Sequence, residues 1–166
     1  MVHGDAVDGQ QRVVHWDRSE PFSTWCEKIS AGPPTPIAAM SEAQYLDLVS
    51  QMHVLAAECA RLTDVACGSL DARGDSGWVV HGPWLVGECV GLLREWLDAG
   101  LLALRRRSTA TWEEAVLAPA EARALLADPA SWDTATDDDV CIVMTEHGSR
   151  TAWESWFGSL ARPPRW

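Results

Sequence analysis

The clearest hydrophobic pattern in the chain begins after Ser41 and repeats at helical spacing. Ser41 followed by Gln44 is the start of a capping box. The apolar residues that follow recur every three or four positions, as one face of a helix requires; they are Tyr45, Leu48, Val49, Met52, Leu55, Ala56, Cys59 and Leu62. The pattern predicts a core helix from Glu42 to Leu62.

A second helical pattern runs from Trp84 to Ala99. Pro83 stands at a natural helix start, and Gly100 occupies the position where glycine commonly ends a helix. The residues from Leu101 to Arg106 then predict a strand leaving that helix, and Trp112 to Leu117 predicts a strand returning to it. Pro119 opens a further predicted helix over 120–127.

The C-terminal part combines a buried strand with an amphipathic helix. Val140 to Met144 is a continuous apolar run rich in β-branched residues, which predicts a buried strand. Thr145 and Gly148 follow in a Thr-x-x-Gly pattern. The apolar stripe of the predicted last helix is Trp153, Trp156, Phe157 and Leu160.

The chain divides into three segments. Residues 1–40 are predicted to be an N-terminal arm, with strand character in Val13 to Trp16 and a proline-rich end at 33–36. Residues 41–160 are predicted to form a single α+β domain, which includes a short strand at 78–80. Residues 161–166 form a tail.

The helix at 84–99 and the strand after it, together with the later strand, Thr145-x-x-Gly148 and helix, resemble the end of a winged-helix domain. The MarR and PadR regulators end in this way, with a strand that passes into a Leu-Thr-x-x-Gly helix start, and Met144 stands here at the leucine position. The resemblance implies an α+β, winged-helix-like core whose wing is elaborated by an inserted helix. The segment at 120–129 is also similar to uncharacterised actinobacterial proteins, which implies no activity.

A winged-helix fold makes DNA binding the alternative function, with Arg94, Arg105, Arg106 and Arg107 as candidate DNA contacts. Residue chemistry argues against it. A helix that reads bases needs polar side chains near its N-terminus, whereas this helix begins with apolar residues and carries one arginine against three carboxylates, a net charge of −2.

The overall charge also disfavours nucleic acid. The formal net charge is −11, which repels phosphate and favours a partner protein with a basic surface. Residues 1–16 lack the apolar core of a signal peptide, and no apolar run reaches the roughly 18 residues that span a bilayer. We therefore expect a cytoplasmic protein without a membrane partner. The oligomeric state stays open.

No residue set identifies a reaction. Gly74-Asp-Ser-Gly77 copies the sequence around a serine-protease nucleophile, but the fold that such a triad needs is missing. The histidines are isolated, the five cysteines are scattered, and consecutive aspartates diverge on extended backbone, so we expect no metal and no cofactor.

Tryptophans in irregular segments are the remaining candidates. A large ring with one hydrogen-bond donor is a preferred anchor in protein interfaces, although such rings also pin loops to a core. The candidate interface residues are Trp16, Trp25, Trp112, Trp132, Asp137, Asp138 and Asp139. The sequence thus predicts a non-enzymatic, acidic, protein-binding module, for example an immunity or antitoxin-type protein or a regulatory adaptor.

Overall fold

In a computed structural model of the chain, helices and two small sheets form a mixed α+β fold. The structure describes residues 5–7, 11–15, 20–21, 24–25, 28–29, 34–72, 77–108, 110–133 and 138–160. The helices are α1 (Glu42–Ala57), α2 (Leu62–Val65), α3 (Val86–Asp98), α4 (Pro119–Ala127), α5 (Ala130–Asp133), α6 (Glu146–Arg150) and α7 (Trp153–Gly158). The strands are β1 (Asp5–Val7), β2 (Gln11–Val14), β3 (Ser69–Ala72), β4 (Trp78–His81), β5 (Leu102–Ser108), β6 (Glu114–Val116) and β7 (Asp138–Met144).

The first sheet has the strand order β1-β2-β4-β3, with every pair antiparallel. Val14 of β2 lies opposite Trp78 of β4 and is buried with Trp25, Ile29 and Val80 in a small apolar cluster. The boundary predicted after residue 40 therefore separates β1 and β2 from β3 and β4, which belong to the same sheet. Hydrogen bonding and burial join the N-terminal segment to the rest of the chain.

The second sheet has the order β6-β5-β7 and is also antiparallel. Its central strand, β5, pairs along its whole length with β7, from Leu102 opposite Met144 to Ser108 opposite Asp138. On the far side of β7, Arg61 forms an isolated bridge with Cys141. The predicted strands at 101–106, 112–117 and 140–144 are therefore confirmed within a few residues.

Helix α1 starts as predicted but ends earlier. The Ser41 hydroxyl accepts a hydrogen bond from Gln44 N, and the Gln44 side chain accepts one from Ser41 N, which completes the capping box. The prediction of helix as far as Leu62 is wrong. Cys59 adopts a positive φ of 57°, and Arg61 then turns into its bridge with β7. The apolar pattern continued because Leu62 is buried at the start of the separate helix α2.

Helix α3 begins at Val86, two residues later than predicted, so the prediction that Pro83 marks the helix start is wrong. The Gly82–Pro83 peptide is cis, and Trp84 N donates to Ala66 O, which holds the buried Trp84 in the turn before the helix. The end is as predicted, because Gly100 follows the helix at φ +71°. A break at residues 151–152 likewise divides the predicted last helix into α6 and α7.

The main core lies where α1, α3 and α7 pack with the second sheet. Its largest fully buried side chains include Trp96 of α3 and Trp156 of α7, whose rings meet edge to face at 5.0 Å. The Trp96 Nε1 donates to Trp156 O, and the Trp156 Nε1 donates to Gly148 O. These two bonds satisfy the indole donors and fasten the C-terminal helices to α3.

Candidate functional site

The turn between β5 and β6 presents Trp112 to solvent. Trp112 is 72% exposed and has a φ of +60°, a left-handed conformation that bulky residues rarely adopt. Hydrogen bonds hold this turn on both sides, since Trp112 N donates to Ser108 O at 2.8 Å and Ser108 N donates to Glu113 O at 2.9 Å. The exposed ring is therefore carried by a fixed backbone.

Strand β6 continues from this turn along the outside of the second sheet. Within the described chain its strand neighbour is β5, and its three residues are all exposed. Val116 is 67% exposed, which is unusual for a β-branched apolar side chain on a sheet edge. We call Trp112, Glu113, Glu114 and Val116 the Trp112 surface.

The segment that contains the Trp112 surface is acidic. Residues 110–133 carry one arginine and five carboxylates, a net charge of −4, and these six charged side chains are all exposed. They are Glu113, Glu114, Glu121, Arg123, Asp128 and Asp133. Glu114 and Glu121 pair with arginines of β5, whereas Glu113 forms no ion pair with a described residue. An exposed carboxylate beside the exposed ring is therefore available to a basic protein partner.

The three consecutive arginines of β5 are paired with carboxylates of the same chain. Arg105 contacts Glu114 at 2.9 Å, Arg106 contacts Glu121 at 3.0 Å, and Arg107 contacts Asp139 at 3.3 Å. The remaining DNA-contact candidate, Arg94, is exposed on α3. The strand that supplies three of the candidate DNA contacts therefore carries guanidinium groups already engaged by carboxylates.

The aspartates named as interface candidates are placed differently from one another. Asp139 is 8% exposed, and its carboxylate lies 3.3 Å from Arg107 and 3.5 Å from the Arg61 Nε. It therefore holds β5, β7 and the chain after α1 together, and its burial removes it from the contact surface. Asp138 is the first residue of β7. Asp137 lies outside the described residues.

The four candidate tryptophans also differ from one another in where they lie. Trp132 is buried in the main core, and its Nε1 donates to Leu126 O at 3.0 Å. Trp25 is buried in the small cluster under the first sheet, with its ring 6.2 Å from that of Trp78. Both rings pack within the chain. Trp132 and Trp25 are therefore core residues, and the expectation that they are surface anchors is corrected. Trp112 alone of the described three is exposed, and Trp16 lies outside the described residues.

A histidine between two carboxylates was missed by the sequence interpretation, which treated His81 as isolated. His81 is buried at the end of β4, with its Nδ1 2.7 Å from Asp47 and its Nε2 3.0 Å from Asp71. The hydrogen bond to Asp47 raises the pKa of His81, and the charges of both aspartates add to this effect against the opposing effect of burial. The three residues come from α1, β3 and β4, so no local spacing signalled them.

The two buried cysteines among the described residues have thiols with raised pKa values. Burial raises the pKa of the Cys89 thiol to about 12, and it also raises that of Cys141. Such thiols stay protonated. Among the described residues no group of three His, Cys, Asp or Glu side chains is arranged to hold a metal ion. Residues 73–76, which include the protease-like Ser76, lie outside the described chain.

Comparison with known proteins adds no relative. No family model matches the chain, and no curated protein or solved structure matches it either. Within the described residues, none of the helices has the length and apolar character needed to cross a membrane.

Proposed function

We propose that the chain is a non-enzymatic protein-binding module whose contact surface is centred on Trp112. The supporting observation is the conformation and exposure of this one residue. A left-handed backbone costs a residue with a side chain about 1–2 kcal/mol, and the exposed ring gains little from the fold in return. Strained, exposed aromatic residues of this kind are typical of binding sites.

The charge of the surrounding segment indicates the class of partner. Glu113, Asp128 and Asp133 are exposed carboxylates of this segment that form no ion pair with a described residue, which favours a basic surface. The formal net charge of −11 acts in the same direction at long range. Masking a basic toxin, as an immunity or antitoxin-type protein does, is one form of this function. A regulatory adaptor is another.

A winged-helix-like core is our finer proposal for the fold. Part of the order of elements supports it: helix α1, the short bridge at Arg61 and helix α2, then helix α3 and the antiparallel pair β5 and β7, although the hairpin of β3 and β4 stands between α2 and α3. Residues 109–137 lie between β5 and β7 and contain β6, α4 and α5, which corresponds to an elaborated wing. This order is also what favours a DNA-binding regulator as the second candidate function.

The ion pairs of β5 favour protein binding over DNA binding. A phosphate group would have to compete with Glu114, Glu121 and Asp139 for the guanidinium groups. Helix α3 also carries Glu88, Glu95 and Asp98, and their negative charges disfavour DNA binding as well.

Site-specific cross-linking tests the proposed function. Benzoylphenylalanine is introduced at Trp112 and, as a control, at the exposed Glu154 of α7, and the full chain is irradiated in cells of its source. A protein cross-linked from position 112 and not from 154 is then purified and titrated calorimetrically. We expect Trp112→Gly to weaken its binding by about 30-fold, the effect of removing a typical hot-spot side chain. Equal binding of this partner by wild type and by Trp112→Gly would refute the proposal.

A gel shift over a range of salt concentrations tests the second candidate. Wild type and a variant with Arg105, Arg106 and Arg107 all changed to Gln are titrated against the intergenic DNA beside the gene. We expect weak binding that is equal for the two proteins. Tight, salt-dependent binding that the triple variant loses would overturn protein binding as the main function.

A further inference from the structure

The outer edge of β6 has backbone groups directed away from the sheet. On the inner edge, Ser108 N donates to Glu113 O and Leu117 N donates to Leu104 O, with Arg106 opposite Ala115 between them. In an antiparallel pair the residues that bond to the neighbour alternate with residues that do not. The N–H and C=O groups of Glu114 and Val116 therefore point outward, where nothing in the described chain pairs with them.

Strand β6 is short and carries one charged residue, Glu114, but it lacks the other usual protections against strand pairing. Edge strands are commonly blocked by proline, by a bulge, by lysine or by a covering element. Strand β6 contains glutamate, alanine and valine, its register with β5 is regular, and all three residues are exposed. The edge is thus open to an added strand.

An open cavity of about 460 Å³ lies beside the strand. Its lining residues are Arg106, Ser108, Glu113, Glu114 and Ala115. Arg106 is engaged by Glu121, whereas the Glu113 carboxylate accepts a hydrogen bond from the Thr111 hydroxyl and forms no ion pair with a described residue. A carboxylate of this kind at a cavity wall is suited to a lysine or arginine side chain.

We propose that the edge of β6 binds an extended basic segment of the partner protein as an additional strand. The added strand bonds to the outward groups of Glu114 and Val116, and one of its lysine or arginine side chains enters the cavity and pairs with Glu113. The Trp112 ring covers the aliphatic part of a neighbouring basic side chain. This inference rests on the proposed function and specifies the binding mode of the Trp112 surface.

Charge favours a basic partner over a second copy of the chain. Two copies paired through β6 would bring the Glu113 carboxylates of both chains close together, and neither carboxylate has an ion-pair partner among the described residues. Like charges on paired strands are destabilising. A basic segment removes this repulsion.

The test uses a phage-displayed library of random peptides, selected against the full chain. Val116→Pro removes the outward N–H while the inner bonds of Glu113 and Leu117 remain, and Val116→Thr is the matched control that keeps the N–H. The selected peptides are synthesised and titrated against wild type and both variants. Amide hydrogen exchange of wild type with bound peptide provides a second measurement, and circular dichroism checks that both variants fold.

We expect basic peptides, slowed exchange at the Glu114 and Val116 amides, at least about a tenfold loss of affinity in Val116→Pro, and little change in Val116→Thr. Peptides that are not basic, or that leave these amides unprotected, overturn the inference. So does the absence of selected peptides, or dimerisation in sedimentation experiments that Val116→Pro abolishes. If the purified partner binds in a Trp112-dependent way but is indifferent to Val116→Pro, strand addition fails while the proposed function stands.

Discussion

A methyl group placed on Gly148 would lie 2.0 Å from the carbonyl oxygen of Leu101. The Thr-x-x-Gly turn after β7 therefore packs directly on the backbone that follows α3. Thr145 supports the same contact, because its hydroxyl donates to Gly100 O and accepts from Gly148 N. The motif is explained by this close approach, whether or not the chain binds DNA.

We expect Gly148→Ala to lower the free energy of unfolding by about 1–3 kcal/mol, since the added methyl meets both a backbone oxygen and the Trp156 ring. Urea denaturation measures the change. Gly91→Ala is the control: this glycine is inside α3 with nothing within 4 Å of the added atom. It should raise the stability by about 0.5–1 kcal/mol. Equal effects of the two substitutions would contradict the packing argument.

Elements with strong local signals were predicted well from the sequence. The capping box at Ser41, the glycine at position 100, the proline at 119 and the Thr-x-x-Gly helix start at 145–148 each act within one turn of chain. Their physical causes lie between residues three or four positions apart. The sequence therefore contains the whole interaction.

Features that depend on distant partners were not predicted. The pairing of β2 with β4 needs a register between segments about 65 residues apart. Trp112 and Trp132 have similar surroundings in the sequence, and only the packing of α5 decides that the second is buried. The same holds for His81, whose two carboxylate partners are contributed by different elements.

Asp139→Asn should lower the free energy of unfolding by about 2 kcal/mol. The buried carboxylate has two guanidinium partners, Arg61 and Arg107, which lose their counter-charge in the variant. Loss of one partner from a fully buried pair costs about 3–5 kcal/mol, and partial exposure of the two arginines reduces that value. Chemical denaturation at neutral pH measures the effect.

The matched control for Asp139 is Glu146→Gln, which breaks an exposed ion pair with Arg150. Exposed pairs contribute little, so the change should stay within about 0.5 kcal/mol. If Asp139→Asn is as mild as Glu146→Gln, then Asp139 does not hold β5, β7 and the chain after α1 together.

Trp112→Gly should leave the free energy of unfolding within about 1 kcal/mol of wild type. Glycine accepts the left-handed conformation without strain, and this gain offsets its larger entropy loss on folding. Trp132→Ala, by contrast, should cost about 3–5 kcal/mol, because it empties a buried site. Thermal and urea unfolding of both variants gives the comparison. A large loss in Trp112→Gly would identify the ring as structural and remove the observation that supports the proposed function.

His81 should make the stability depend on pH in a defined direction. Both ring nitrogens can donate to the two carboxylates only when the ring is protonated, and the pKa of His81 in the folded chain is raised above its ordinary 6.5. The stabilisation is therefore fully present below about pH 6.5 and is lost as the pH rises through the raised pKa, at about 1.4 kcal/mol for each unit of difference.

We expect the stability gap between wild type and His81→Gln to be widest near pH 6 and to narrow toward about pH 9, as denaturation curves across this range would measure. Burial lowers the pKa of His53, so this residue makes stability change with pH in the opposite direction. Wild type and His81→Gln share this contribution, and it cancels when their stabilities are subtracted. Asp47→Asn removes the main cause of the raised pKa, so the same comparison made in that background should show a weaker pH dependence. A gap that is constant or widens with pH would show that His81 is neutral in the folded chain.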